Sequence, residues 1–185
     1  MARLIDSIDY SWTLFLDRDG VINEEKSCDY ILHWDDFNFL PYVLDSINIF
    51  NKLFHKIIIV TNQRCIGLNL ITEEKLCEIH NNMTDIIIKH GGRIDKLYYA
   101  SAIDQTHYMR KPNTGMAMMA KQDFPSIDFS KSIIVGNTQT DIIFGAALGM
   151  YTIFINGKSL DDKVQSLVNE YHDSLWSFAQ TLLIK

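Results

Sequence analysis

Short runs of branched and aromatic apolar residues alternate along the chain with longer segments in which apolar residues recur every three or four positions. The short runs are Trp12 to Leu16, Lys56 to Val60, Ile94 to Ala100, Ser132 to Val135 and Tyr151 to Ile155. Near-continuous Ile, Val and Phe runs of this length predict strands buried on both faces of a parallel sheet. The segments between them predict helices. Val43, Leu44, Ile47 and Phe50 share one helical face, as do Leu76, Ile79, Met83, Ile86 and Ile87. Thr72 predicts the N-cap of that second helix, with Glu73 and Glu74 in its first turn and Gly91-Gly92 as its stop. Met116, Met119 and Ala120 line a third helix that Pro125 closes, and Ile142, Ile143, Ala146 and Ala147 a fourth that ends at Gly149. Val164, Leu167, Val168 and Tyr171 follow, then a last helix from Asp173 or Ser174 through Leu175, Phe178, Ala179, Leu182 and Leu183.

Strand and helix in alternation predict an α/β fold: a doubly wound, Rossmann-like parallel sheet of about five strands with helices on both faces. The 185 residues fit a single domain spanning 1–185, since one domain takes roughly 150 residues. No internal repeat or Pro/Ser-rich linker divides them. The stretch 24–40 is the longest irregular one, and loops of that length are often functional. Its Tyr30 and Trp34 suit either the wall of a site or the core.

Composition narrows the class. With 47% apolar and 22% charged residues the chain is an ordinary globular one, not a disordered one. Its net charge of −6 lacks the basic footprint of a nucleic-acid binder. Cys28, Cys65 and Cys77 are widely spaced and form no C-x-x-C pair, which fits a reducing compartment. Met1 to Ser11 carries Arg3, Asp6 and Asp9 and lacks the apolar centre of a signal peptide. No apolar run approaches the ~20 residues of a membrane span. The expectation is a cytoplasmic monomer with neither nucleic-acid nor membrane partners.

Ligands of such sheets bind beyond the carboxyl ends of the strands, and polar residues follow three of the runs directly. Asp17 and Asp19 end the first. Two carboxylates so close are costly unless a cation neutralises them, and a hard cation such as Mg²⁺ takes oxygen ligands together with waters and phosphate oxygens; a plain Asp-Gly turn is the bland alternative. Thr61 and Asn62 end the second run, where a hydroxyl and backbone N–H groups suit a phosphate or merely cap a strand. Asn137 and Asp141 follow the fourth, and Thr138-x-x-Asp141 is also a capping box. Lys111 precedes Pro112, which suits a first helical turn, so the lysine is expected at a helix entrance.

These four pieces, in this order on these elements, resemble the haloacid dehalogenase superfamily of phosphohydrolases. Phe15 through Asn23 matches its first motif, Val60 to Gln63 the second, Arg110-Lys111-Pro112 the third, and Val135 through Asp141 the fourth. The D-R-D-G-V-I-N, T-N-Q and R-K-P strings, the frame from Phe37 to Pro41 and Gly91 to Asp95 are most similar to the branch of heptose bisphosphate and histidinol-phosphate phosphatases. The match runs from about Trp12 to Ile155. The resemblance implies that Asp17 is a nucleophile forming an aspartyl-phosphate and that Asp19 is the general acid and then base. It further implies that Thr61 binds phosphoryl oxygens, that Lys111 balances charge, and that Asn62 and Arg110 touch substrate. Mg²⁺ would be held by Asp17, the Asp19 carbonyl and Asn137, with Asp141 in support. No large cap domain is expected, because the segment after Asn23 is too short for one between the first two motifs and nothing between motifs two and three looks like one.

The chain departs from that branch twice. The fourth motif begins with Asn137 where Asp is usual, which brings an amide oxygen but no charge, so metal binding is expected to be weaker. The C-x-H and C-x-C pairs of the branch's zinc loop are replaced by Ala100-Ser101-Ala102 and His107-Tyr108-Met109; a tetrahedral zinc needs four good ligands, so no zinc and a loop held by packing are expected. The leading expectation is a Mg²⁺-dependent phosphomonoesterase of a small metabolite, a sugar phosphate such as heptose 1,7-bisphosphate. Histidinol phosphate, a nucleic-acid 3′ end, and a catalytically weak relative that binds a phosphate compound or a partner are the alternatives. Cys65 is expected to pack, His107 to be the one histidine near the site, and Tyr171, Trp176 and Phe178 to be core.

Overall fold

The computed structural model describes residues 8–26, 29–155, 157 and 159–183; Cys28 and the first seven residues lie outside them. Six strands form one sheet: β1 Thr13–Leu16, β2 Lys56–Asn62, β3 Lys96–Ala100, β4 Ser132–Gly136, β5 Tyr151–Ile155 and β6 Glu170–His172. Every adjacent pair is parallel, in the order β3-β2-β1-β4-β5-β6. The winding reverses between β1 and β4, so the crevice at their carboxyl ends is the switch point where ligands of such sheets bind. Leu16 lies opposite Ile59 on one side and Val135 on the other, which brings Asp17, Thr61 and Asn137 to one edge.

The helices are α1 Val43–Leu53, α2 Arg64–Gly67, α3 Glu73–Lys89, α4 Gly115–Asp123, α5 Gln139–Ala147, α6 Asp162–Gln165 and α7 Leu175–Thr181. Alternation along the strands sends Leu14, Leu16, Ile57, Ile59, Ile133 and Val135 to one face, against Ile47 and Phe50 of α1, Ile79 and Met83 of α3 and Phe178 of α7. Phe15, Ile58, Val60 and Ile134 face the other way, against Met116, Ala117 and Ala120 of α4 and Phe144 of α5. Thr72 caps α3 by accepting from the Lys75 N–H, and Gly91, at a φ of +81°, ends it. No helix among the described residues is long and apolar enough to cross a membrane.

Four expectations need correction. β6 has no counterpart among the predicted runs: it is three residues at the sheet edge, its Tyr171 is exposed rather than core, and neither period marks it. Phe178 is fully buried as expected, while Trp176 is half-buried against Tyr42. β3 begins at Lys96 rather than Ile94, because the Asp95 carboxylate takes the Ile57 N–H, Lys56 and Arg93. Pro112 does not open a helix; it follows a cis peptide bond in a turn, and α4 starts at Gly115.

Candidate active site

One ammonium organises the crevice. Lys111 Nζ, fully buried, donates to Asp17 Oδ1 at 2.9 Å, Asp141 Oδ1 at 2.6 Å and the Val60 carbonyl at 2.7 Å. Its three protons thus meet three acceptors from the ends of β1 and β2 and from α5. Burial opposes its charge, but Asp141 and Asp17 outweigh that and hold it above its ordinary value. Asp141 Oδ2 accepts from the Thr138 N–H at 3.0 Å and hydroxyl at 2.7 Å, so the expected capping box and the ion pair share one carboxylate. Gly136 makes room for it: a Cβ there would lie 2.4 Å from Asp141 Cγ.

Asp17 Oδ1 also accepts from the Arg18 N–H at 2.7 Å, and among the described residues none donates to Oδ2. Burial, reinforced by Asp141, pushes the Asp17 carboxyl up to about 7 against the pull of Lys111. A raised carboxyl favours the native state while protonated. In metal-free protein its contribution is therefore full below 3.8 and is lost as the pH rises through about 7. Urea midpoints of wild type and Asp17→Asn across that window should converge from wild type's favour toward the variant's. A pH-independent difference would refute the shift.

Asp19 is held differently. Arg18, fully buried, donates through Nη2 to Oδ1 at 2.7 Å and Oδ2 at 2.9 Å and through Nε to Oδ1 at 3.1 Å. Asn23 Nδ2 and Gln63 Nε2 add bonds at 2.9 and 3.0 Å. Burial alone would raise the Asp19 carboxyl, but Arg18 and these hydrogen bonds hold it below its ordinary value. Behind Arg18, Nη1 lies 3.0 Å from His80 Nε2, which must accept. Burial and then Arg18 push His80 down to about 3, so the ring is neutral. His107 is therefore not the one histidine near the site: His80 backs Arg18, and its one sequence signal is a polar residue on the apolar face of α3.

Thr61 Oγ1 accepts from Gln63 Nε2 at 3.0 Å, which leaves its proton to donate. Asn62 uses its amide on the main chain of Lys111, accepting from N at 3.0 Å and donating to O at 3.1 Å. Arg110 donates to the Ile103 carbonyl, and burial and the nearby Arg64 lower its pKa. A cavity of about 340 Å³ opens over Asp17, Asp19, Thr61, Asn62, Arg110 and Lys111, with Tyr30 and Arg64 on its walls. Trp34 instead stacks on Phe37 at the core. Cys65 is buried with Sγ 3.5 Å from Gln63 Oε1. The segment from Ser101 to Asn113 is held by packing, with Met109 against the core, and by hydrogen bonds as well: Asn113 donates to the Gln105 and His107 carbonyls, and His107 Nδ1 accepts from the Met109 N–H.

Among the described residues, three buried side-chain polar atoms lack a partner: Asn23 Oδ1, Arg64 Nε and Asn137 Oδ1. All belong to the segments around this crevice. Such atoms are rare in native proteins unless a ligand or ion completes them.

The profile of a family described as polynucleotide kinase 3 phosphatase matches residues 9–185. The chain belongs to this family. It is a phosphatase of the haloacid dehalogenase superfamily. It is 31% identical over 150 residues to the D-glycero-alpha-D-manno-heptose-1,7-bisphosphate 7-phosphatase of Burkholderia mallei, covering 77% of this chain and 78% of that one. It is 35% identical over 126 residues to a probable D-glycero-D-manno-heptose-1,7-bisphosphate 7-phosphatase of Thermoplasma volcanium, covering 68% and 84%. The crystal structure of a D,D-heptose 1.7-bisphosphate phosphatase from B. bronchiseptica, complexed with magnesium and phosphate, shares the fold with a TM-score of 0.81 at 23% identity, over 94% of this chain and 98% of that one.

Proposed function

We propose that this phosphatase, acting as one catalytic domain, hydrolyses a phosphate monoester of a small sugar, heptose 1,7-bisphosphate being the type that its relatives' names point to. The observation that carries it is the convergence of Asp17, the free Thr61 proton, Lys111 and the unpartnered Asn137 oxygen at the switch point of the sheet.

Asp17 Oδ2 attacks the phosphorus, and the bond to the leaving oxygen breaks. Thr61 and Lys111 hold the phosphoryl group, because charge spreading over its oxygens needs fixed donors. The departing alkoxide takes a proton from the Asp19 carboxyl. Asp19 then removes a proton from water, which attacks the aspartyl-phosphate and frees phosphate and Asp17. The hydrogen bonds from Arg18, Asn23 and Gln63 suit Asp19 to the second half of the cycle, as the ionised base. In the first half the carboxyl must leave that cradle.

The oxygen donors suit Mg²⁺: the Asp17 carboxylate, the Asp19 carbonyl and the Asn137 amide oxygen would hold it, and when bound it supplies positive charge against the phosphoryl group. No group of three His, Cys, Asp or Glu side chains converges among the described residues, so carbonyl and amide oxygens carry much of the site. Asn62, by tying down Lys111, positions the third motif more than it reads substrate. Arg64 and Arg110, two cations on one wall, favour a second anionic group on the substrate.

Phosphate release from heptose 1,7-bisphosphate, histidinol phosphate and a 3′-phosphorylated oligonucleotide, with and without Mg²⁺, tests the reading. The oligonucleotide belongs in the panel because of the family's description. Asp19→Asn should lower turnover by ~10²–10⁴-fold, the usual worth of a general acid or base, while calorimetric substrate affinity stays within a few-fold. Unchanged turnover would remove Asp19 from the mechanism.

A further inference from the structure

We propose that Glu25 belongs to the cation site and supplies the negative charge that Asn137 lacks. The proposal rests on the cation lying between Asp17 and Asn137, as set out above. The charges nearest that position largely cancel. Asp19 is neutralised by Arg18, and Asp17 and Asp141 share the single charge of Lys111. Three carboxylates against two cations leave little for a dication, and the residue at 137 adds nothing. Glu25 lines the same cavity as Asp17 and Asp19, and its Oε2 accepts from Asn137 Nδ2 at 3.3 Å.

That hydrogen bond does two things. It fixes which amide atom is turned toward Glu25, and so leaves the buried Oδ1 as the ligating end; Oδ1 is the atom without a partner. It also brings a carboxylate to the rim of the site, where it adds a charge to the outer sphere of the ion. The backbone leading to Glu25 is anchored for that task. Glu24 N donates to the Asn38 carbonyl at 2.9 Å, and Asn23 Nδ2 joins the Glu24 carbonyl to Asp19. Gly20 closes the arrangement from below, at a φ of +79°: a Cβ there would lie 2.0 Å from Asn137 Nδ2.

The test is calorimetric titration of Mg²⁺ into metal-free wild type, Glu25→Gln, Asn137→Asp and the double variant. Glu25→Gln should weaken Mg²⁺ binding by ~10-fold, the lower end for a group that orients or charges a ligand from outside. Asn137→Asp should tighten it and lower the Mg²⁺ concentration for half activity. In the Asn137→Asp background Glu25→Gln should cost nothing, because the aspartate carries the charge and would repel Glu25. An equal loss in both backgrounds, wild-type affinity in Glu25→Gln, or no Mg²⁺ binding by wild type would each overturn the proposal. Melting temperatures of the metal-free variants that match wild type exclude misfolding as the cause. The expected affinity pattern without phosphate release from any substrate would instead overturn the phosphatase mechanism and leave Glu25 in place.

Discussion

Asp17→Asn is expected to cut phosphate release by on the order of 10⁴-fold, the scale on which losing one member of a covalent machinery is felt. The amide cannot form the mixed anhydride, and the substitution keeps shape. Its effect on the fold should run the other way. The carboxylate is held in a crowded, buried place where Asp141 repels it, and Lys111 keeps Asp141 and the Val60 carbonyl as partners without it. The Asp17→Asn protein should therefore melt at least as high as wild type above neutral pH, and it should still bind substrate. Loss of turnover together with a large loss of stability would mean that Asp17 is a structural residue.

Lys111→Met is the converse case. It removes the one cation from between two buried carboxylates, and stripping a partner from a buried pair costs ~3–5 kcal/mol. The Val60 carbonyl loses its donor as well. The carboxylates escape by binding a proton, so the urea midpoint should fall most at neutral pH and recover on acidification. Phosphate release should fall too, because a protonated Asp17 is no nucleophile. Adding Asp141→Asn should return part of the stability and none of the activity. A Lys111→Met protein as stable as wild type would show that the three-way contact carries no weight.

Much of this was legible in the sequence because sheet and site are written in the same places. Five buried runs gave five strands, and the polar residues directly after three of them gave Asp17, Thr61 and Asn137. β6 was illegible because an edge strand of three residues with an exposed Tyr171 has no pattern to show. The clamp on Asp19 was illegible for another reason. Its members Arg18, Asn23 and Gln63 lie in the segments after β1 and β2, with His80 of α3 behind Arg18, and a histidine on the apolar face of α3 reads as core until the end of β1 is laid beside it. Pro112 misled because its preference for a first helical turn is satisfied equally well by a turn that comes before the helix.

The contact of Lys111 with two strand ends and a helix carries a lesson for kinship by motif. A descendant that lost turnover would still need its lysine, Asp141 and the small residue at 136 to keep these elements joined, so natural selection for mere solubility would preserve them. Shared lysines therefore attest common ancestry. Only the set of Asp17, Asp19 and a ligand at 137 attests a living enzyme.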